Sequence, residues 1–270
     1  KQFNRSRDEL YIDDEYWQLL HEAHVSWSPG NLFFRAGKQI VSWGETDGFR
    51  LMDQINPLDL RRGLADVKFE NTVIPIWLLR AEYDKSMYYG PFSEAGVQFL
   101  FNPNVDFIPD QNILIGNDAG GTWAPDVNIG PGQHLGSQLR SIDEPSGSEG
   151  FEYGVKLRSL IYDTIVTLNY FNGRNRSPLT QISGPPEISL AKDGSSILHF
   201  PIQGEYERFR FYGFTFNTIL MKLANPLIAN IPPVLRGEAF YAENTFIDNA
   251  TGEEQDSDEW RYALALDLNF

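Results

Sequence analysis

The run WRYALALDLNF, residues 260–270, puts Trp260, Tyr262, Leu264, Leu266, Leu268 and Phe270 at even positions and Arg261, Ala263, Ala265, Asp267 and Asn269 at odd ones. A period of two is that of a β-strand, whose successive side chains leave opposite faces. The even face is wholly apolar, with aromatics at its ends and aliphatics between them. About ten residues tilted by roughly 40° cover roughly 25 Å, the height of the lipid-facing band of an outer-membrane barrel. The pattern points to a strand with lipid on one side and water on the other.

Other segments repeat it. Trp17, Leu19, Ala23, Val25 and Trp27 oppose Gln18, Glu22, His24 and Ser26, and Trp77, Leu79, Ala81 and Tyr83 oppose Arg80, Glu82 and Asp84. Ala95 to Phe101, Phe151 to Leu157, Val166 to Tyr170 and Leu235 to Tyr241 alternate in the same way. Three places depart from the rule. Lys38 falls on the otherwise apolar face of Leu32, Phe34, Ala36 and Ile40, and Pro201 interrupts a weak strand. The apolar phase also shifts between Phe209/Phe211 and Phe214/Phe216, from which a bulge near Gly213 is expected. A soluble β-sandwich also alternates, but its apolar faces point at one another and its aromatics have no reason to collect at strand ends. The expected membrane girdle is Trp17, Trp27, Trp77, Tyr83, Tyr153, Tyr241, Trp260, Tyr262 and Phe270.

Composition agrees. Of 270 residues, 12 are Tyr, 19 Phe and 6 Trp against 3 Met, which favours pleated surfaces over a helix bundle. The net charge of −15 argues against a nucleic-acid partner, since phosphate binding needs clustered Lys and Arg. With no cysteine, disulfides, thiolate metal sites and Cys nucleophiles are excluded. No apolar run is long enough for a transmembrane helix, and no signal peptide is visible at Lys1.

Connections alternate between short and long, as in a barrel with tight periplasmic turns and longer external loops. Ser28–Asn31 and Ile161–Asp163 are tight, Lys85–Phe92 is moderate, and Gly44–Ile74, Pro103–Gly150 and the acidic Asn244–Glu259 are long. Ile219–Pro232 is too long for its side. Following the alternation gives about eleven strands in one barrel domain over residues 1–270, with residues 43–63 as an insert. Bacterial single-chain barrels have even strand numbers, so at least one further strand is expected before Lys1.

The run Arg35-Ala36-Gly37-Lys38-Gln39-Ile40-Val41-Ser42-Trp43-Gly44-Glu45, then Asp47-Gly48 and Asn56-Pro57-Leu58-Asp59-Leu60-Arg61-Arg62, resembles a family of proteobacterial outer-membrane proteins known only as a domain of unknown function. In that family an R-x-G-x-Q-x-V-x-W-G-E strand leads into an N-P-x-D segment, and Leu235-Arg236-Gly237-Glu238 is similar to its R-G-E strand. The resemblance implies an outer-membrane barrel of greater length, and it supplies no substrate or catalytic residue. Phe270 looks like a terminal insertion signal, although family members usually continue past this strand.

An insert this rich in charge cannot lie against lipid, where each charge costs several kcal/mol. It either caps the barrel in external water or folds into the lumen. The lumen is favoured, because inward-pointing Arg35, Gln39, Arg80 and Glu82 offer partners to Glu45, Asp47, Arg50, Asp53, Asp59, Arg61 and Arg62. With Glu22, His24, Lys156, Arg158, Arg236 and Glu238 these form the expected lumen and constriction set.

The expected function is an outer-membrane channel or transport barrel for small solutes, contacting outer-membrane lipid. A non-conducting barrel that docks a periplasmic or surface protein is the alternative, and a soluble carbohydrate-binding all-β protein or hydrolase a third. No enzyme and no cofactor are expected. His24 lies near Glu22 and Ser26 only by strand spacing, and no nucleophile motif accompanies it. Ile115–Thr122 lacks the helix of a phosphate cradle. Asp248, Glu253, Asp256 and Asp258 form a weak calcium-loop candidate, more simply read as solvated charge.

Overall fold

The computed structural model describes residues 21–46, 50–60, 72–111, 127–136, 139–191, 193–221, 232–247 and 254–268. The chain is all-β. Its strands are β1 (Ala23–Trp27), β2 (Leu32–Gln39), β3 (Ile76–Tyr89), β4 (Phe92–Asn102), β5 (Asn128–Gly130), β6 (Gln133–Leu135), β7 (Leu139–Asp143), β8 (Glu152–Ile161), β9 (Thr164–Arg174), β10 (Leu179–Ile182), β11 (Glu187–Leu190), β12 (Ser196–His199), β13 (Pro201–Glu205), β14 (Arg208–Ile219), β15 (Val234–Ile247) and β16 (Glu254–Asp267).

Nine of them form one antiparallel sheet in the order β1-β2-β3-β4-β8-β9-β14-β15-β16. Sequential neighbours pair, so the connections fall alternately at the two ends of the sheet. One end carries the β1–β2, β3–β4, β8–β9 and β14–β15 connections; the other carries the longer β2–β3, β4–β8 and β9–β14 connections and the β15–β16 connection. Among the described residues β1 and β16 do not pair with each other.

The parity read from sequence holds along the sheet, and the insert lies on the charged parity, as expected. Leu264 is 73 % exposed, Leu168 55 % and Leu157 48 %, together with Trp27, Phe99, Tyr212 and Trp260 on the same face. The opposite face is covered. Its cover is the segment after β2, which lays Val41, Trp43, Leu51, Met52 and Ile55 on Ile76, Leu78, Leu100, Phe171, Phe209, Phe211, Phe240 and Ala242 to form the core. We call this covered side the inner face.

Several expectations need correction. About eleven strands were expected in one barrel, and among the described residues the main sheet has nine. Residues 179–205 instead build two small sheets with the 127–143 region, β10-β13-β7 and β11-β12-β6-β5, in which β13–β7 and β12–β6 are parallel. Pro201, with no N–H to donate to a central ladder, stands at the first position of β13. No bulge occurs at Gly213, since β14 keeps register with β9 and β15 throughout. The apparent phase shift arises because both faces of β14 are aromatic: Phe209 and Phe211 pack inward, and Tyr212 and Phe214 outward. The moderate Lys85–Phe92 loop is a tight hairpin, as β3 runs to Tyr89 and Gly90 takes φ +60. The acidic Asn244–Glu259 loop is mostly strand, with Asn244 paired to Ser257 and Thr245 to Asp256. Lys38 is not on an open apolar face but buried at the end of β2.

Candidate functional site: the inner face and its insert

Trp43 anchors the insert. It is fully buried, its indole N–H donates to Gln98 Oε1 at 2.6 Å, and its ring meets Phe171 and Phe211 edge-on at 6.4 and 6.0 Å. Gly154 makes room for it, because a Cβ there would lie 2.6 Å from Trp43 Cη2. Met52 similarly fills the space that a side chain at Gly213 would need. Bare backbone on two strands thus receives Trp43 and Met52, the largest fully buried side chains of the insert among the described residues.

The insert is also knitted to itself. Asn56 Oδ1 accepts from Val41 N at 2.8 Å, and its amide donates to the carbonyls of Gln39 and Ile74. Asp53 Oδ1 accepts from Trp43 N and Gly44 N at 2.6 and 2.9 Å. Arg50 donates to Asn56 O at 2.9 Å; burial pulls its pKa below the ordinary arginine value, while Asp53 and Asp110 pull it back up. The N-P-x-D segment thus opens with a bend braced by the Asn56 side chain and runs on through the bridges Leu58–Val73 and Asp59–Gln111.

Two carboxylates fasten its ends. Glu238 Oε1 on β15 accepts from Glu45 N and Thr46 N, both at 2.6 Å, and from Thr46 Oγ1 at 2.8 Å. Buried Glu152 on β8 accepts from Arg176 at 2.6 Å, from Asn102 at 2.7 Å and from Arg174 N at 2.9 Å. Arg176 then donates to Ile55 O at 3.1 Å and stacks on Phe107. From Gln39 on β2 to Glu45 against β15 the chain advances six residues, about 20 Å when extended. The same strands stand six steps apart along the sheet, about 29 Å at about 4.8 Å each. The reach of the Glu238 side chain supplies most of the difference, so the insert crosses the inner face as a nearly straight chord from β2 to β15.

Beside this chord lies a polar cavity of about 300 Å³ lined by Ser42, Arg80, Glu82, Asp84, Gly96, Val97, Gln98, Lys156 and Arg158. Arg80 and Gln98 both donate to Glu82 Oε1, and Arg158 pairs with Asp84 at 2.9 Å. Of the residues expected in the lumen, Arg80, Glu82, Lys156 and Arg158 meet here. Glu45, Arg236 and Glu238 meet at the far end of the chord, where Arg236 donates to Glu45 O at 3.1 Å and pairs with Asp267. Gln39 is buried and donates to Leu78 O. Arg35 donates to Ser26 and lies over Phe33, while Glu22 accepts from Ile40 N and His24 is exposed on β1, both apart from the cavity. Asp59 sits in a short bridge to Gln111. Asp47, Arg61 and Arg62 lie outside the described residues.

Reasoning from sequence left out Asp84, Gln98, Glu152, Arg176 and Trp43 as site residues. The first three stand on the charged parity and could have been included by it. Arg176 lies in a loop with no periodic signal.

The outer face carries a row of aromatics over five adjacent strands. Ring centroids lie 6.2 Å apart for Tyr153–Tyr170, 5.1 Å for Tyr170–Tyr212, 6.0 Å for Tyr212–Tyr241 and 4.7 Å for Tyr241–Trp260. Tyr262, Trp77 and Tyr83 are exposed on the same face, and Trp27 stacks on Phe34 at 5.7 Å. Trp17 and Phe270 lie outside the described residues. So do Asp248 and Glu253; Asp256 and Asp258 stand on β16, and no group of metal-ligating side chains occurs among the described residues.

Sheet and chord define an all-β protein with one bare apolar face and one charged face crossed by an insert. A family model described as a protein of unknown function, DUF1302, matches residues 3–257, and the chain belongs to that family. Neither a curated protein nor a solved structure matches it.

Proposed function

We propose that this chain forms a β-barrel in the outer membrane of a Gram-negative bacterium and passes small polar solutes through a lumen narrowed by the residue 43–63 insert. The observation that carries the reading is the asymmetry of the sheet: its outer face leaves Leu157, Leu168, Leu264 and Leu266 bare, while Gln39, Glu152 and Glu238 are buried on the inner face beneath the insert. In water a continuous apolar face over nine strands would be far larger than a monomer tolerates. Lipid is the medium that suits it, and the Tyr153–Trp260 row has the composition of an interfacial aromatic girdle. The antiparallel order of the nine strands, with connections alternating between its ends, supports closure into a barrel. The likeness of the Arg35–Glu45 strand to outer-membrane proteins supports the location. Paired charges on the chord and walls suit polar solutes of mixed charge, as in other narrowed pores.

A second reading, a barrel that docks a protein partner, is favoured by one feature. The small sheets at the long-connection end expose Ile182, Ile188 and Leu190. Reconstitution separates the two. The channel reading predicts conductance steps in planar bilayers and swelling of proteoliposomes in small sugars. A folded, inserted protein that is silent and solute-tight would contradict it and favour docking.

A further inference from the structure

Resting on the channel reading, we infer that the polar cavity beside Ser42 is a subsite for a small zwitterion of amino-acid size. Both signs of charge line it: Lys156 and Arg158 stand on β8, and Glu82 and Asp84 stand on β3 together with Arg80, with β4 between the two strands.

The charges are unevenly satisfied. Arg80 has Glu82 and Arg158 has Asp84, but Lys156 makes no hydrogen bond or contact ion pair with any described residue. The carboxylates that act on it from a distance, Glu45 and Asp53, are not in contact with it, and each also accepts a hydrogen bond from another group. Asp53 Oδ1 takes the N–H groups of Trp43 and Gly44, and Glu45 Oε2 takes the Asn217 amide at 3.3 Å. On the facing wall, Arg80 and Gln98 both use Glu82 Oε1, and Arg158 uses Asp84 Oδ1, so the second oxygen of each carboxylate receives no donor among the described residues. Gly96 keeps this wall open, because a Cβ there would lie 2.1 Å from Asp84 Oδ1.

A simple anion placed on Lys156 would face Glu82 and Asp84, and a simple cation placed on those carboxylates would face three positive groups. A molecule carrying both charges meets complementary groups on each side. Its carboxylate binds the Lys156 ammonium with the Ser42 hydroxyl at hand, and its ammonium donates to the second oxygens of Glu82 and Asp84. The volume, about 300 Å³, is that of about ten waters at about 30 Å³ each, enough for glycine or a somewhat larger homologue.

The test uses the full chain in detergent, titrated calorimetrically with glycine, acetate and methylammonium. Glycine is expected to bind saturably, with acetate and methylammonium at least tenfold weaker. Lys156→Gln should weaken glycine at least tenfold, whereas Lys156→Arg should keep most of the affinity. The fold of each variant is checked by the near-ultraviolet signal of buried Trp43. Absent glycine binding, acetate binding as tightly as glycine, or unchanged affinity in Lys156→Gln would overturn the subsite. Conductance in potassium chloride is measured on the same protein. Conductance without glycine binding removes the subsite and leaves the channel, and glycine binding without conductance does the reverse.

Discussion

Glu238 gathers three donors on a single carboxylate oxygen, two of them backbone N–H groups of the insert. Removing the acceptor leaves those donors buried and unpaired, at about 1–3 kcal/mol for each one left unsatisfied. Glu238→Ala is therefore expected to loosen the insert more than the sheet. Trypsin cleavage at Arg50 should speed up several-fold while the melting transition moves only modestly; unchanged cleavage would argue that the contact holds nothing. Gly154 is the complementary case. Its Cβ would press on the rigid edge of Trp43 and on Phe171 at 3.1 Å, so Gly154→Ala should cost about 1–3 kcal/mol in a denaturation experiment. A Trp43→Leu change added to it should recover part of that loss. Neither role shows in the sequence, where Gly154 is one small residue on a strand and Glu238 one charge on an inward parity.

At the scale of elements, the inward and outward parity of the strands was legible because a period of two leaves no third choice. What failed was the bulge expected near Gly213, because aromatics on β14 face both ways. β14 places Phe209 and Phe211 inward because Trp43 needs an aromatic floor, a demand made by a segment over 160 residues away. The small sheets were read as barrel strands because short apolar runs carry the same local signal wherever they pair. The latch between β8 and the end of the insert was also out of reach, as Arg176 is set by tertiary contact alone. Breaking this buried pair on one side strands a charge: Arg176→Met should destabilise by about 3–5 kcal/mol. The double change Arg176→Met with Glu152→Leu should lose less than Arg176→Met alone in the same urea titration. A larger loss in the double variant would mean that the pair is not what Glu152 contributes.

At the scale of the whole molecule, the nine-stranded sheet leaves one apolar face bare and covers the other with the insert. The chord from β2 to β15 brings polar groups to the charges of that inner face and uses its own apolar side chains as anchors. The amino-acid pattern foretold the bare apolar stripe and the presence of an insert; the path of that insert, and the strands it spans, came from packing.

The medium on the two faces is the central claim. Because the chain contains no cysteine, single spin labels can be placed at will. Labels at Leu168, Phe214 and Leu264, with a control at Ser42, would be measured by power saturation in proteoliposomes against oxygen and a water-soluble nickel chelate. The account predicts that the first three relax with oxygen and are shielded from nickel, while Ser42 shows the reverse. Nickel access at Leu168, Phe214 and Leu264 equal to that at Ser42 would contradict it.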